Sequence, residues 1–281
     1  DIFRPYGIKV YLTARYDAPM HADSDVTISS ANSTLPEVQT WWGNKVNEIY
    51  DTYIPDFGGF LLKVDSEGQP GPETTYNIDH ASGANPIAEK LDARGGLLIW
   101  RTFVHDKSLD ADRVKRPYIQ FTPLDGQFRS NVILQCKNGP FDFQPREPIH
   151  PLFGGMPNTA MGMEFQITQE YLGHSTHLVY NAPMWKEVLD FDTYASGADS
   201  TVAKVIDGSL NAHSQSMIAG VANIGSDTNW CGHHFAQANW YAYGRLAWNH
   251  ELTSEGIADE WIRMTWSNDV DVRTDLTAMM L

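Results

Sequence analysis

The sequence predicts an α/β fold of the (β/α)8, TIM-barrel type, with the first two βα units missing. Three observations carry that expectation. Short apolar, β-rich runs recur six times, each followed by polar or glycine-rich residues and then a stretch with helical periodicity. Strand, loop and helix in alternation mean parallel strands joined by right-handed crossovers. No G-x-G-x-x-G or G-x-x-x-x-G-K phosphate cradle follows any run, which counts against a doubly wound nucleotide-binding sheet. Charged residues also gather just past the C-terminal ends of several different runs, as they do in barrels.

The six strand runs are 8–12, 59–64, 96–104, 131–136, 163–168 and 217–223. Between them, residues 36–53 carry Val38, Trp41, Trp42, Val46, Ile49 and Tyr50 at helical spacing, opened by a proline suited to a first turn. Helical stretches follow at 84–91, 183–194 and 235–248. A last one at 255–266 comes after Thr253 and Ser254, both good caps. Trp41, Trp42, Trp185, Trp248 and Trp261 fall on these helices, so they read as shell or core residues and not as sugar-stacking platforms. Residues 1–6 read as a helix end leading into the first strand. Six strands cannot close an eight-stranded barrel, so two units are expected upstream of a fragment.

The chain has 281 residues, close to the ~250 of one barrel. Hydrophobic residues make up 42% of it, enough for a real core. Twenty Lys and Arg against 35 Asp and Glu leave a net charge of −15. Such a field repels phosphate backbones, so no nucleic-acid partner is expected. An acidic small substrate remains open, because a local cluster of cations overrides the global field. No apolar run approaches the ~20 residues of a membrane span, and no membrane partner is expected. Cys136 and Cys231, 95 positions apart, read as two ordinary buried thiols. One glycosylation sequon, Asn32-Ser33-Thr34, is no more than chance supplies. The first five residues are not a signal peptide, and the compartment stays open between cytoplasm, periplasm and secretion.

The strand ends hold the chemistry. After the second run come Lys63, Asp65 and Glu67, the last inside a Gly/Pro-rich loop whose stiff backbone suits a platform for one acid. Arg101 follows the third run, Lys137 and then Asp142 follow the fourth, and Glu170 follows the fifth. Barrel geometry brings such ends to one rim. Paired carboxylates are what glycoside hydrolysis needs, one protonating the departing oxygen and another activating water. A cationic cluster beside them suits a sugar that itself bears a carboxylate. The competing reading is a polar rim without catalytic meaning, since strand ends face solvent in any protein. His174 and His177 form H-x-x-H, and His233-His234 precede a helix. No third ligand accompanies either pair, so no metal and no cofactor are expected.

Several long strings resemble glycoside hydrolase family 67 α-glucuronidases. They are DFGGFLLK at 56–63, SEGQPGP at 66–72, PLDGQF at 123–128, KNGP at 137–140, FQITQEY at 165–171 and PMWKEVLDFD at 183–192. The likeness runs over about residues 1–268. It implies a partial catalytic barrel over 1–268, with 269–281 starting a C-terminal helical region. It also implies release of α-1,2-linked (4-O-methyl)glucuronic acid from the terminal xylose of xylo-oligosaccharides, with inversion. Glu67 would be the general acid, and Asp142 and Glu170 would activate water, with Asp142 favoured as base and the choice left open. Lys63, Arg101 and Lys137 would contact the glucuronate carboxylate. Cys136 departs from the aliphatic residue the pattern suggests. Dimer contacts in parts of the family, as in a homodimer of the full-length protein, would lie largely outside this chain. Two other readings compete: a non-catalytic uronate-binding barrel remnant, and a metal-dependent barrel hydrolase or isomerase.

Overall fold

The computed structural model describes residues 2–22, 28–66, 68–104, 110–145, 147–168, 170–173, 177–224, 226, 228–229 and 231–281. Six strands form one sheet in chain order: β1 (Tyr11–Arg15), β2 (Gly59–Lys63), β3 (Leu97–Arg101), β4 (Val132–Lys137), β5 (Met161–Gln166) and β6 (Ile218–Val221). Every neighbouring pair is parallel. A doubly wound sheet reverses its strand order at a switch point. This one never does, and it curls into a half-barrel. The α/β class and the six parallel strands expected from the sequence are present.

Nine helices lie among the described residues: α1 (Pro36–Glu48), α2 (Pro72–Tyr76), α3 (His80–Asp92), α4 (Lys115–Phe121), α5 (Ala182–Asp190), α6 (Val202–Ile206), α7 (His234–Trp248), α8 (Ser254–Thr265) and α9 (Val270–Met280). In α1, Pro36 opens the first turn and Val38, Trp41, Trp42 and Val46 are buried along one face. The Asp79 carboxylate accepts from Ser82 N at 2.7 Å and starts α3. Thr253 caps α8 by accepting from Gly256 N at 3.0 Å, as its position in the sequence suggests. His233 caps α7 through Nδ1, which accepts from Ala236 N, so this member of the His pair has a structural use.

Side chains alternate across each strand, so one set meets the helices and the other faces the hollow of the curl. The helix-facing set is apolar: Phe60 and Leu62, Leu98 and Trp100, Val132 and Leu134, Met161, Met163 and Phe165. All are buried in the main core. The inner set changes character along the strands. Leu61, Ile99 and Ile133 give way toward the C-terminal ends to Arg15, Lys63, Arg101, Gln135, Lys137, Glu164 and Gln166. Burial of the first set fixes the register, and the register then displays the second set together. Gly59 allows the tight approach of β2 to β3. Its φ is +137°, and a Cβ there would lie 1.8 Å from the Leu97 carbonyl oxygen.

Two expectations need correction. The first strand covers Tyr11–Arg15, three residues later than expected. A 3-10 turn at Arg4–Tyr6 closes on left-handed Gly7, and Gly58 N bonds Val10 O, so ladder pairing begins only at Tyr11. Trp248, expected in shell or core, ends α7 with 88% of its surface exposed, although Trp41, Trp42, Trp185 and Trp261 are buried. Both cysteines are buried and free. No helix among the described residues is long and apolar enough to cross a membrane.

Candidate active site

Register places Arg15 beside Lys63, Arg101 beside Gln135, and Lys137 beside Glu164. Lys63 and Arg101 occupy the next inner positions after Leu61 and Ile99, which pair directly across β2 and β3. Three of the expected cations therefore end adjacent strands on one face.

Arg101 is held from below by a residue that sequence reasoning missed. Its guanidinium donates to Glu164 through Nε at 3.1 Å and Nη2 at 2.9 Å. Glu164 is 1% exposed, and the Gln135 amide also donates to its Oε2. A buried carboxylate on a strand is tolerable only when its lone pairs are met in this way. The fork orients Arg101 and leaves Nη1 without a hydrogen bond among the described residues. Glu164 was hard to see because a lone acid inside MGMEFQ looks like a strand with one stray charge, and its partner lies 63 positions away.

Lys137 bonds the Asp142 carboxylate at Oδ1, and Tyr171 donates its hydroxyl to Oδ2 at 3.3 Å. The ammonium sits 3.3 Å from the ring centre of Phe103 and 4.7 Å from that of Phe143, a cation–π setting. Burial draws the Lys137 pKa below that of an ordinary lysine, and the Asp142 charge opposes the shift. Glu170 precedes Tyr171 in the chain, and its Oε2 accepts from Gln166 Nε2 at 2.7 Å. Partial burial, then the charges of Asp142 and Glu170, raise the Tyr171 hydroxyl. Asn138, Phe143, Gln166, Glu170 and Tyr171 line one small depression. Lys137 and Asp142 are thus in contact, Tyr171 bonds Asp142, and the Glu170 charge also acts on the Tyr171 hydroxyl.

The loop between Asp142 and β5 is pinned by Glu147, which accepts from Phe141 N at 2.6 Å and Gln144 N at 3.1 Å. Burial raises its pKa despite these donors. Phe143 adopts a left-handed φ of 59°, a costly choice for an aromatic residue that places its ring against Lys137.

Glu67 lies outside the described residues, as does His174. The residues flanking Glu67 are described. Asp65, which follows the second run between Lys63 and Glu67, is buried and accepts from Glu73 N at 3.1 Å, Thr74 N at 3.2 Å and the Thr74 hydroxyl. It ties the end of β2 to the first turn of α2. Its φ is 47°, and at Gly71 a Cβ would fall 2.3 Å from its Cγ, so the glycine is needed for this closure. His80 lies beneath, fully buried and stacked on Phe121 at 4.5 Å. Its Nδ1 accepts from Trp100 Nε1 at 3.2 Å, which assigns the proton to Nε2, 3.6 Å from Glu73 and 3.7 Å from Asp65. Burial lowers the His80 pKa to about 3, so the ring is neutral. No group of three His, Cys, Asp or Glu side chains among the described residues could hold a metal ion.

A cation wall beside two carboxylates is the arrangement that hydrolysis of an acidic sugar calls for. Residues 1–230 match the glycosyl hydrolase family 67 middle domain, and residues 231–281 match the family 67 C-terminus. The chain belongs to glycosyl hydrolase family 67. Its family 67 relatives include alpha-glucuronidase A of Emericella nidulans, 45% identical over 288 residues, and the alpha-glucuronidase of Hypocrea jecorina, 42% identical over 285 residues. A probable alpha-glucuronidase A of Aspergillus flavus is 43% identical over 286 residues. Each alignment covers 100% of this family 67 chain but only 33%, 33% and 34% of the respective relative. The chain spans about a third of the length of these curated relatives.

Proposed function

We propose that the protein containing this chain hydrolyses α-1,2-linked (4-O-methyl)glucuronic acid from the terminal xylose of xylo-oligosaccharides, with inversion. Family membership supports the reading. The observation that carries it is the contact between Lys137 and Asp142, with Glu170 one residue from the tyrosine that also bonds Asp142. That contact joins a cation able to receive a uronate carboxylate to a carboxylate able to order water. On this reading the curled sheet is six strands of a (β/α)8 barrel spanning residues 1–268, residues 269–281 open a helical region, and dimer contacts of the whole protein lie elsewhere.

Lys63, Arg101 and Lys137 receive the glucuronate carboxylate. Glu67 gives its proton to the xylose oxygen as the bond from that oxygen to the glucuronate anomeric carbon breaks. A water on the opposite face attacks the same carbon and passes a proton to a carboxylate. Inversion calls for roughly 6.5–9.5 Å between acid and base. Asp142 has one oxygen held by Lys137 and the other by Tyr171. Glu170 has only Oε2 engaged among the described residues, which leaves Oε1 to accept from water. That makes Glu170 the better proton acceptor and gives Asp142 the task of orienting the water. No step requires a metal or cofactor.

The test compares the full-length enzyme with its Glu67→Ala variant on aldouronic acids and on an aryl glucuronide with a good leaving group. Loss of the acid should abolish cleavage of the natural linkage and largely spare the aryl glucuronide. Equal loss on both substrates removes Glu67 from the acid role. Absence of glucuronic acid release by the unmodified enzyme favours the non-catalytic uronate-binding reading.

A further inference from the structure

The inner face carries a fourth cation that the uronate reading does not use. Arg15 ends β1 directly beside Lys63, on the same side of the sheet. Adjacent strands lie roughly 4.8 Å apart, so the line Arg15, Lys63, Arg101, Lys137 extends over roughly 14 Å of backbone. One carboxylate is a single fork wide. It cannot engage the whole line at once.

Arg15 is held by the same kind of fork as Arg101, but its side chain is far more exposed. Its Nε and Nη2 donate to Asp17 Oδ1 and Oδ2 at 2.8 and 2.7 Å. The Asp17 side chain is 4% exposed, whereas that of Arg15 is 55% exposed. His21 Nε2 lies 3.3 Å from the same Asp17 carboxylate. The guanidinium is therefore oriented before any ligand arrives, and its Nη1 makes no hydrogen bond among the described residues. Its charge is paired with that of Asp17. An exposed, pre-oriented donor edge at the end of the line, beside a carboxylate already met by the other three cations, suits hydroxyl oxygens.

We infer that the Arg15–Asp17 pair is a subsite for the xylose chain, with Arg15 Nη1 donating to hydroxyls of a xylose unit beyond the one that carries the glucuronate. The inference rests on the function proposed above and adds a second place at which the substrate is held.

The experiment uses the full-length enzyme with Arg15→Ala and Arg15→Lys variants. Cleavage is measured on aldouronic acids that carry one, two or three xylose units, and calorimetry measures binding of plain xylotriose. Loss of kcat/KM should grow with xylose number, to about three- to tenfold on the longest substrate, which is the worth of one or two neutral hydrogen bonds. Xylotriose binding should weaken by a similar factor. Arg15→Lys keeps a cation and the stem but loses the fork, so it should show the same trend even where Arg15→Ala folds poorly. A loss equal on all substrate lengths, no loss on any, or xylotriose binding that is absent or unchanged overturns the proposal. Should the unmodified enzyme release no glucuronic acid, the hydrolytic reading fails, and the xylotriose measurement still decides the role of Arg15.

Discussion

Replacing Glu164 with glutamine removes one charge and almost no volume, so it isolates the ion pair beneath the cationic wall. Glu164 is 1% exposed and takes two hydrogen bonds from Arg101, at 3.1 and 2.9 Å, together with the Gln135 amide. In the variant, an amide NH2 must face donors from Arg101 or Gln135, because three donors converge on two oxygens. Breaking one side of a buried pair costs about 3–5 kcal/mol. The Arg101 side chain keeps 17% exposure, so water relieves part of the stranded charge and the lower end applies, about 3 kcal/mol. That is roughly a 150-fold shift toward the unfolded state. Urea unfolding of the full-length protein, followed by tryptophan fluorescence, should show the loss in Glu164→Gln and again in Arg101→Met. The Glu164→Gln/Arg101→Met double variant should lose clearly less than the two single changes together, because no orphan charge remains. A loss under about 0.5 kcal/mol for Glu164→Gln, or strict additivity, refutes the argument that Glu164 anchors Arg101.

Two further outcomes follow from the same geometry. His80 and His150 are fully buried with pKa values lowered to about 3, so the unfolded chain binds protons that the folded chain refuses. Stability is full above the unfolded value of about 6.5 and falls through the window down to pH 3 by about 1.4 kcal/mol per pH unit for each histidine; His80→Gln should flatten that slope by about half in urea midpoints measured from pH 7 to 4, and an unchanged slope contradicts the assignment. At the water-binding end, Glu170→Gln should lower turnover of aldouronic acids more than Asp142→Asn, because among the described residues Glu170 Oε1 makes no hydrogen bond whereas both Asp142 oxygens are engaged; the reverse order in kcat would return the base role to Asp142.

Much of the sheet was legible because its helix-facing half is apolar without interruption, as in Val132, Leu134 and Met161, Met163, Phe165. Runs of that kind read as buried parallel strands. The first strand was misplaced because Thr13 and Arg15 face the hollow, which gives it the polarity of a loop. Helices α2 and α6 have five residues each, too few for a 3.6-residue period to repeat. Helix α9 was expected only through the resemblance, as the start of a helical region at 269–281; it carries a start signal, with Asp269 accepting from Asp271 N and Val272 N, but its apolar residues form only a weak stripe. At the site, residues past strand ends were visible as charges next to apolar runs. Their partners were not. Glu164 and His80 owe their roles to contacts across 63 and 20 positions, and no local pattern encodes such distances.

The account depends most on hydrolysis at the glucuronate anomeric carbon by water held opposite the departing xylose. Incubating the full-length enzyme with an aldouronic acid in an NMR tube, and following the first glucuronic acid to appear, tests that most directly. The β-anomer should accumulate first and then equilibrate with the α-form. Initial release of the α-anomer, or no release at all, would contradict it.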